Sequence, residues 1–279
     1  MGVNKSLMDK ENENKIKALI SLLEDDDEDI VSNAMEKLLS IGCEIAPFIA
    51  AEQDSENPLL RKRIHQILSI INIRNLRNNF ASKINQGKTD LWESICESHL
   101  LWYERDNIQF LNNKYDALSS NFKEKGDFSI QNLARFMKEN GFVTSIPGDL
   151  EADFYCIGKV LDTKIGADSI LCAIAIKLAQ DAGVKLNIGF NGRIFYIFSG
   201  DGIAIKPNDW KLRPNRGQFC KALDTETVIK NIIYKIYVCA AASDSYRYIY
   251  TIGNVLTQIG SSNKLVTLPY PFKVNKKNK

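Results

Sequence analysis

Residues 166–205 read GADSILCAIAIKLAQDAGVKLNIGFNGRIFYIFSGDGIAI, and this stretch decides the fold. Its first half is apolar on nearly every face, through Ile170, Leu171, Ala173, Ile174, Ile176, Leu178 and Ala179. A helix that is apolar all round belongs at the centre of a domain. Gly183 ends it, because glycine accepts the left-handed conformation found just past helix C-termini. The second half breaks into short β-prone runs over 184–190, 194–198 and 203–205, parted by Asn191-Gly192 and Gly200-Asp201-Gly202. Such breaks are hairpin signals. A central helix followed by an antiparallel meander is an α+β pattern.

Upstream of this core the chain reads as helical. Residues 1–13 are polar and are expected to lack structure. Ile16, Leu19, Ile20, Leu22 and Leu23 form one helical stripe, and Ile30, Val31, Ala34, Leu38, Leu39 and Ile41 form the next. The acidic run 24–29 between them lacks the central Gly and closing Glu of an EF-hand loop. It reads instead as a solvated loop that brings negative charge to a helix N-terminus. Pro58 opens a further helix, and the pattern of 30–41 recurs there at an offset of 29 residues. Val31 maps on Leu60, Leu38 on Ile67 and Leu39 on Leu68. Short helix pairs with a period of about 30 to 45 residues resemble HEAT repeats. So few repeats do not bury their faces alone, and this front is expected to pack on the downstream helices.

Further helices are expected over 91–103, 106–125, 128–141 and 154–161, and again over 226–259, where Tyr234, Tyr237, Tyr246, Tyr248 and Tyr250 make the segment aromatic. The expected organisation is a disordered 1–13, HEAT-like helices over 14–90, an α+β core over 91–225, a helical tail over 226–265 and a flexible basic end over 266–279.

Composition narrows the function. With 36 basic and 34 acidic side chains in 279 residues, the net charge is +2, which argues against a dedicated polyanion binder. Arg61-Lys62-Arg63, Arg74 and Arg77 form a basic candidate face on the helical front, yet that front also carries the acidic run. A nucleic-acid-binding domain is normally clearly basic, so no nucleic-acid partner is expected. No apolar run approaches the roughly 20 residues that span a bilayer, so no membrane partner is expected. The polar N-terminus is unlike a secretory signal, and the six cysteines contain no CxxC pair. The expectation is a cytoplasmic protein with reduced thiols.

Histidine is scarcer still. The chain has two, His65 and His99, and none lies within 100–279. That excludes a Ser-His-Asp or Cys-His-Asp apparatus built wholly from the C-terminal part. It also disfavours a zinc site, and no metal or cofactor is expected. Both histidines read as surface residues or as core residues with a satisfied ring.

With these residues in view, the chain resembles the SirB-type transglutaminase-like family. Gly166-Ala167-Asp168, the buried helix, Gly183 and the strands resemble that family's core. A HEAT-like front before it and a TPR-like helical pair after it fit the same layout. In the family, a nucleophilic Cys lies two residues after a Gly at the start of the buried helix. A His opens a following strand after a Gly, and an Asp or Asn precedes a Pro. The resemblance then places Asp168 at the nucleophile position, Arg193 of Gly192-Arg193-Ile194 at the histidine position and Lys206 of Lys206-Pro207 at the acid position.

All three altered positions imply lost chemistry. A carboxylate is a poor acyl-transfer nucleophile, and neither cation takes up a proton near neutral pH unless strongly desolvated. The implied arrangement is an ionic cluster in which Asp168 and Arg193 pair and hold helix to sheet. The expected function is that of a non-catalytic pseudoenzyme that binds a protein partner through its helical front and aromatic tail. One alternative is a residual thiol-dependent amidase or acyltransferase using Cys172, which lies one turn after Asp168. Another is a small-anion site at Arg193 and Lys206. Cys172, like Cys156, Cys220 and Cys239, otherwise reads as a buried structural thiol, and Ser169 as a helix N-terminal residue.

Overall fold

The computed structural model describes residues 2–146, 148–214 and 222–259. The chain is α+β and divides into two compact units, Met1–Asn79 and Phe80–Lys279. The dividing point falls inside a long helix, about ten residues before the boundary at 90 that composition suggested. Among the described residues no helix is long and apolar enough to cross a membrane.

The first unit holds α1 (Gly2–Ser21), α2 (Glu28–Ile41), α3 (Ala46–Ala51) and the start of α4 (Pro58–Asn85). Residues 2–13, expected to lack structure, belong to α1. The unit has a core of its own, in which Leu23, Leu38, Ile45, Ile49, Ile64 and Ile67 are fully buried. The front therefore carries its own apolar centre, whereas so few repeats were expected not to bury their faces alone. The acidic run acts locally: Asp25 accepts from the Asp27 N–H, and Asp27 caps α2 by accepting from the Asp29 N–H. Part of the basic face is likewise engaged. Arg63 donates to the carbonyls of Leu23 and Asp25, Arg74 to that of Leu39 and Arg61 to that of Ser55.

The second unit opens with α5 (Leu91–Leu100), α6 (Ile108–Lys123) and α7 (Ile130–Glu139), each started by a side-chain cap, from Asp90, Asn107 and Ser129. A short strand β1 (Val143–Thr144), a single 3-10 turn (Ala152–Tyr155), α8 (Ile157–Thr163) and a second short strand β2 (Ile165–Gly166) come next. Helix α9 (Asp168–Asp181) is the central element, and Ile170, Leu171, Cys172, Ile174, Ala175 and Leu178 are fully buried in it.

Strands β3 (Leu186–Phe190), β4 (Phe195–Ser199), β5 (Ile203–Ile205) and β6 (Leu212–Pro214) form an antiparallel sheet in sequence order. Ile188 faces Ile197, which in turn faces Ile205. Helix α9 packs against β3 and β4 and against α5, α6, α7 and α8. Helices α10 (Thr225–Ala242) and α11 (Tyr246–Ile259) pack on one another, and α10 also lies on α5 and on the 3-10 turn. Cys220 and residues 266–279 lie outside the described residues.

Two contacts fix the walls of what becomes a cavity. Strands β1 and β2 pair in parallel, Val143 with Ile165 and Thr144 with Gly166. The Trp210 indole N–H donates to the Phe142 carbonyl at 2.7 Å, in a buried position. This bond ties the loop after β5 to the chain entering β1.

Candidate functional site

Asp168 is the first residue of α9, where unpaired backbone N–H groups attract negative charge. One of its carboxylate oxygens accepts from the Ser169 N–H at 2.8 Å. The other reaches across to β4 and accepts from the Phe195 N–H at 2.7 Å. Burial pushes the carboxyl above the usual range, while those hydrogen bonds and the positive charge of Lys235 pull partly against it.

Arg193 sits on the turn joining β3 to β4. Asn191 shapes that turn, its side-chain oxygen accepting from the N–H groups of Arg193 and Ile194 at 3.1 and 3.0 Å. Gly192 takes φ +88°, which suits glycine. Arg193 is exposed there and, among the described residues, pairs with no carboxylate. The expected Asp168–Arg193 pair is not formed. Asp168 joins helix to sheet without help, because a backbone N–H nearer than the guanidinium satisfies its second oxygen.

Asp168 and Arg193 nevertheless line one cavity of about 500 Å³. Thr144 and Ser145 supply part of its wall, with Asp149 and Tyr155 from the segment between β1 and α8, and Asn208 from the loop after β5. Lys206 does not line it. That residue begins a turn in which its carbonyl accepts from the Trp210 N–H at 2.9 Å, so its successors Pro207 and Asn208 face the cavity instead. The second cation comes from α10, as Lys235, with Asn231 one turn before it. The convergence expected of Asp168, Arg193 and Lys206 is therefore corrected to Asp168, Arg193 and Lys235. The sequence did carry a signal for Lys235: it and Asn231 are polar positions four apart in a helix whose Ile229, Ile232, Ile233 and Ile236 are buried.

Cys172 is fully buried, one turn inside α9, and is not on the cavity wall. Burial, and then the charge of Asp168, push its thiol well above the ordinary range. A sealed, protonated thiol has neither the access nor the thiolate that nucleophilic attack needs. Cys96, Cys156 and Cys239 are buried as well. His99 is 1% exposed, lies 2.9 Å by Nε2 from Asp106 and stacks on Tyr103. His65 is exposed on α4. Among the described residues no cluster of His, Cys, Asp or Glu could hold a metal ion.

The side chains of Arg193, Lys235 and Asp149 have no ion-pair or hydrogen-bond partner among the described residues. The apolar wall comes from Ile146, Phe190, Ile194 and Phe195. No protein family, no curated protein and no solved structure matches this chain.

Proposed function

We propose that this chain is a non-catalytic transglutaminase-like protein whose cavity binds a small ligand carrying an anionic group, held by Arg193 and Lys235. The observation that carries the reading is that two cations from separate elements, the β3–β4 turn and α10, face one cavity and, among the described residues, close no ion pair within 4.0 Å. A partly enclosed, mostly preformed pocket with a few convergent polar groups is the usual form of a small-molecule site. The position of Asp168 at the start of a buried helix, hydrogen-bonded to the first residue of the adjacent strand, supports the transglutaminase-like comparison. Both its oxygens are occupied by backbone N–H groups, so it serves as a tie between helix and sheet. The thiol-dependent alternative finds no support at the buried Cys172.

Thermal unfolding with inorganic phosphate and with acetate tests the reading. A ligand at about 100 times its Kd stabilises a folded protein by about 2.7 kcal/mol, a shift of several degrees for a unit of this size. The shift is expected in the wild type and lost in Arg193→Ala and in Lys235→Ala. No shift with either anion, or a shift that persists in both variants, overturns it.

A second reading, a protein-binding surface on the tail, rests on Tyr246 and Tyr250. They lie one turn apart on α11 and are 69% and 77% exposed, while Tyr237 is buried and Tyr248 stacks on Trp102.

A further inference from the structure

The acidic and basic side chains around the cavity are equal in number. Arg193 and Lys235 are answered by Asp149 and Asp168, two of each sign. Yet none of these four closes on another: among the described residues no ion pair within 4.0 Å joins them. Elsewhere on the same unit opposite charges do close, as in Lys177–Asp181 at 2.8 Å and Lys83–Glu97 at 2.8 Å. Charges that share a partly enclosed space without meeting gain from a counter-charge placed between them, since the effective dielectric there is lower than in water.

An anion alone would answer Arg193 and Lys235 and leave Asp149 without a counter-charge. Nor is the N-terminus of α9 open to it, because Asp168 already accepts the Ser169 N–H there. The carboxylate of a ligand is therefore directed to Arg193 and Lys235. A cationic group on the same ligand would meet Asp149 and the face of Asp168 turned to the cavity. The rim is apolar: Ile146 is 75% exposed and Phe190 41%, and both line the cavity. A ligand with a bulky apolar side chain would cover them. Ser145, Asn208 and Asn231 stand around the charged groups as further hydrogen-bonding side chains.

Resting on the anion-binding reading above, we infer that the ligand is a zwitterion: a free α-amino acid with a large apolar side chain, its carboxylate on Arg193 and Lys235, its ammonium on Asp149 and Asp168, and its side chain against Ile146 and Phe190.

Titration calorimetry on the full chain separates this inference from the reading beneath it. The probes are L-phenylalanine, 3-phenylpropionate, which lacks the ammonium, and 2-phenylethylamine, which lacks the carboxylate. Phenylalanine is expected to bind at least about tenfold tighter than either analogue, the effect of losing one charged contact. Asp149→Asn is expected to weaken phenylalanine by about tenfold and leave 3-phenylpropionate unchanged. The Asp149 side chain has no partner to lose among the described residues, so this variant keeps the fold, which circular dichroism verifies. Equal binding of phenylalanine and 3-phenylpropionate overturns the zwitterion while leaving the anion site standing, provided that Arg193→Ala abolishes both. An Asp149→Asn variant that binds phenylalanine unchanged also overturns it. Binding of none of the three probes overturns the amino-acid assignment, and the phosphate and acetate shifts then decide the anion site separately.

Discussion

The carboxylate of Asp168, at the first residue of α9, accepts the backbone N–H of Phe195, the first residue of β4, at 2.7 Å. One side chain thus joins the central helix to the sheet beside it, and its other oxygen is held by the Ser169 N–H.

Removing that carboxylate leaves two N–H groups without it. Asp168→Ala is expected to cost about 1–3 kcal/mol, read as a lower urea midpoint, and Asp168→Asn less, because its amide oxygen still accepts. The carboxyl is raised above its ordinary value in the folded state. Hence the native state binds the proton more tightly than the unfolded chain. The contribution is most favourable at low pH and is lost as pH rises from the unfolded value through the raised folded one. The wild type should lose stability relative to Asp168→Asn over that window; a pH-independent difference between the two would contradict the assignment.

His99 has the opposite sign. Its burial lowers the ring below 6.5 despite the neighbouring Asp106. Below 6.5 the unfolded chain takes up a proton that the folded ring refuses, so stability falls as pH drops from 6.5 toward the lowered value. Urea midpoints of the wild type and His99→Gln, compared between about pH 5 and 8, should converge toward acid. Parallel curves would show that the ring does not titrate with unfolding.

Gly158 on α8 packs against the same ring. A Cβ there would lie 2.8 Å from Leu111 Cδ2 and 2.9 Å from His99 Cε1. Helix propensity favours alanine by about 1 kcal/mol, but overpacking a tight core costs about 1–3 kcal/mol. Gly158→Ala is therefore expected to be destabilised in urea. A rise in stability would show that Leu111 moves aside at little cost.

The thiols give a fourth check. Cys96, Cys156, Cys172 and Cys239 are buried, and burial pushes Cys96 up to about 12 and Cys239 to about 11. Iodoacetamide should label Cys172 only as fast as the second unit unfolds, with labelling rising along the urea transition. Fast labelling in native buffer would mean an open, activated thiol and would revive the acyl-transfer reading.

Much of the core was legible because its signals are local. The all-apolar run predicted α9 nearly to the residue, with Gly183 past its end at φ +76°. Asn191-Gly192 gave the β3–β4 turn, and the acidic run gave the cap of α2. Strands β1 and β2 were not legible, since two residues each cannot show an alternation. Nor was β6, whose Leu212-Arg213-Pro214 has little β propensity and, among the described residues, pairs only with β5. At the cavity, Asp168 and Arg193 are on the wall and Lys206 is not, because the turn it begins directs its successors there.

By itself the sequence determined most of the helices, though not the first turns of α1, and also where α9 is buried and where the hairpins turn, because periodicity and turn chemistry act over a few residues. It also determined that no imidazole lies within 100–279. Only the tertiary structure decided which groups meet: that Asp168 takes a backbone N–H of β4 rather than Arg193, and that Lys235, 67 residues further on, supplies the second cation. Those placements depend on how residues of α10, α9 and the β3–β4 turn come to line one cavity, and the meeting of distant segments leaves no local pattern to read.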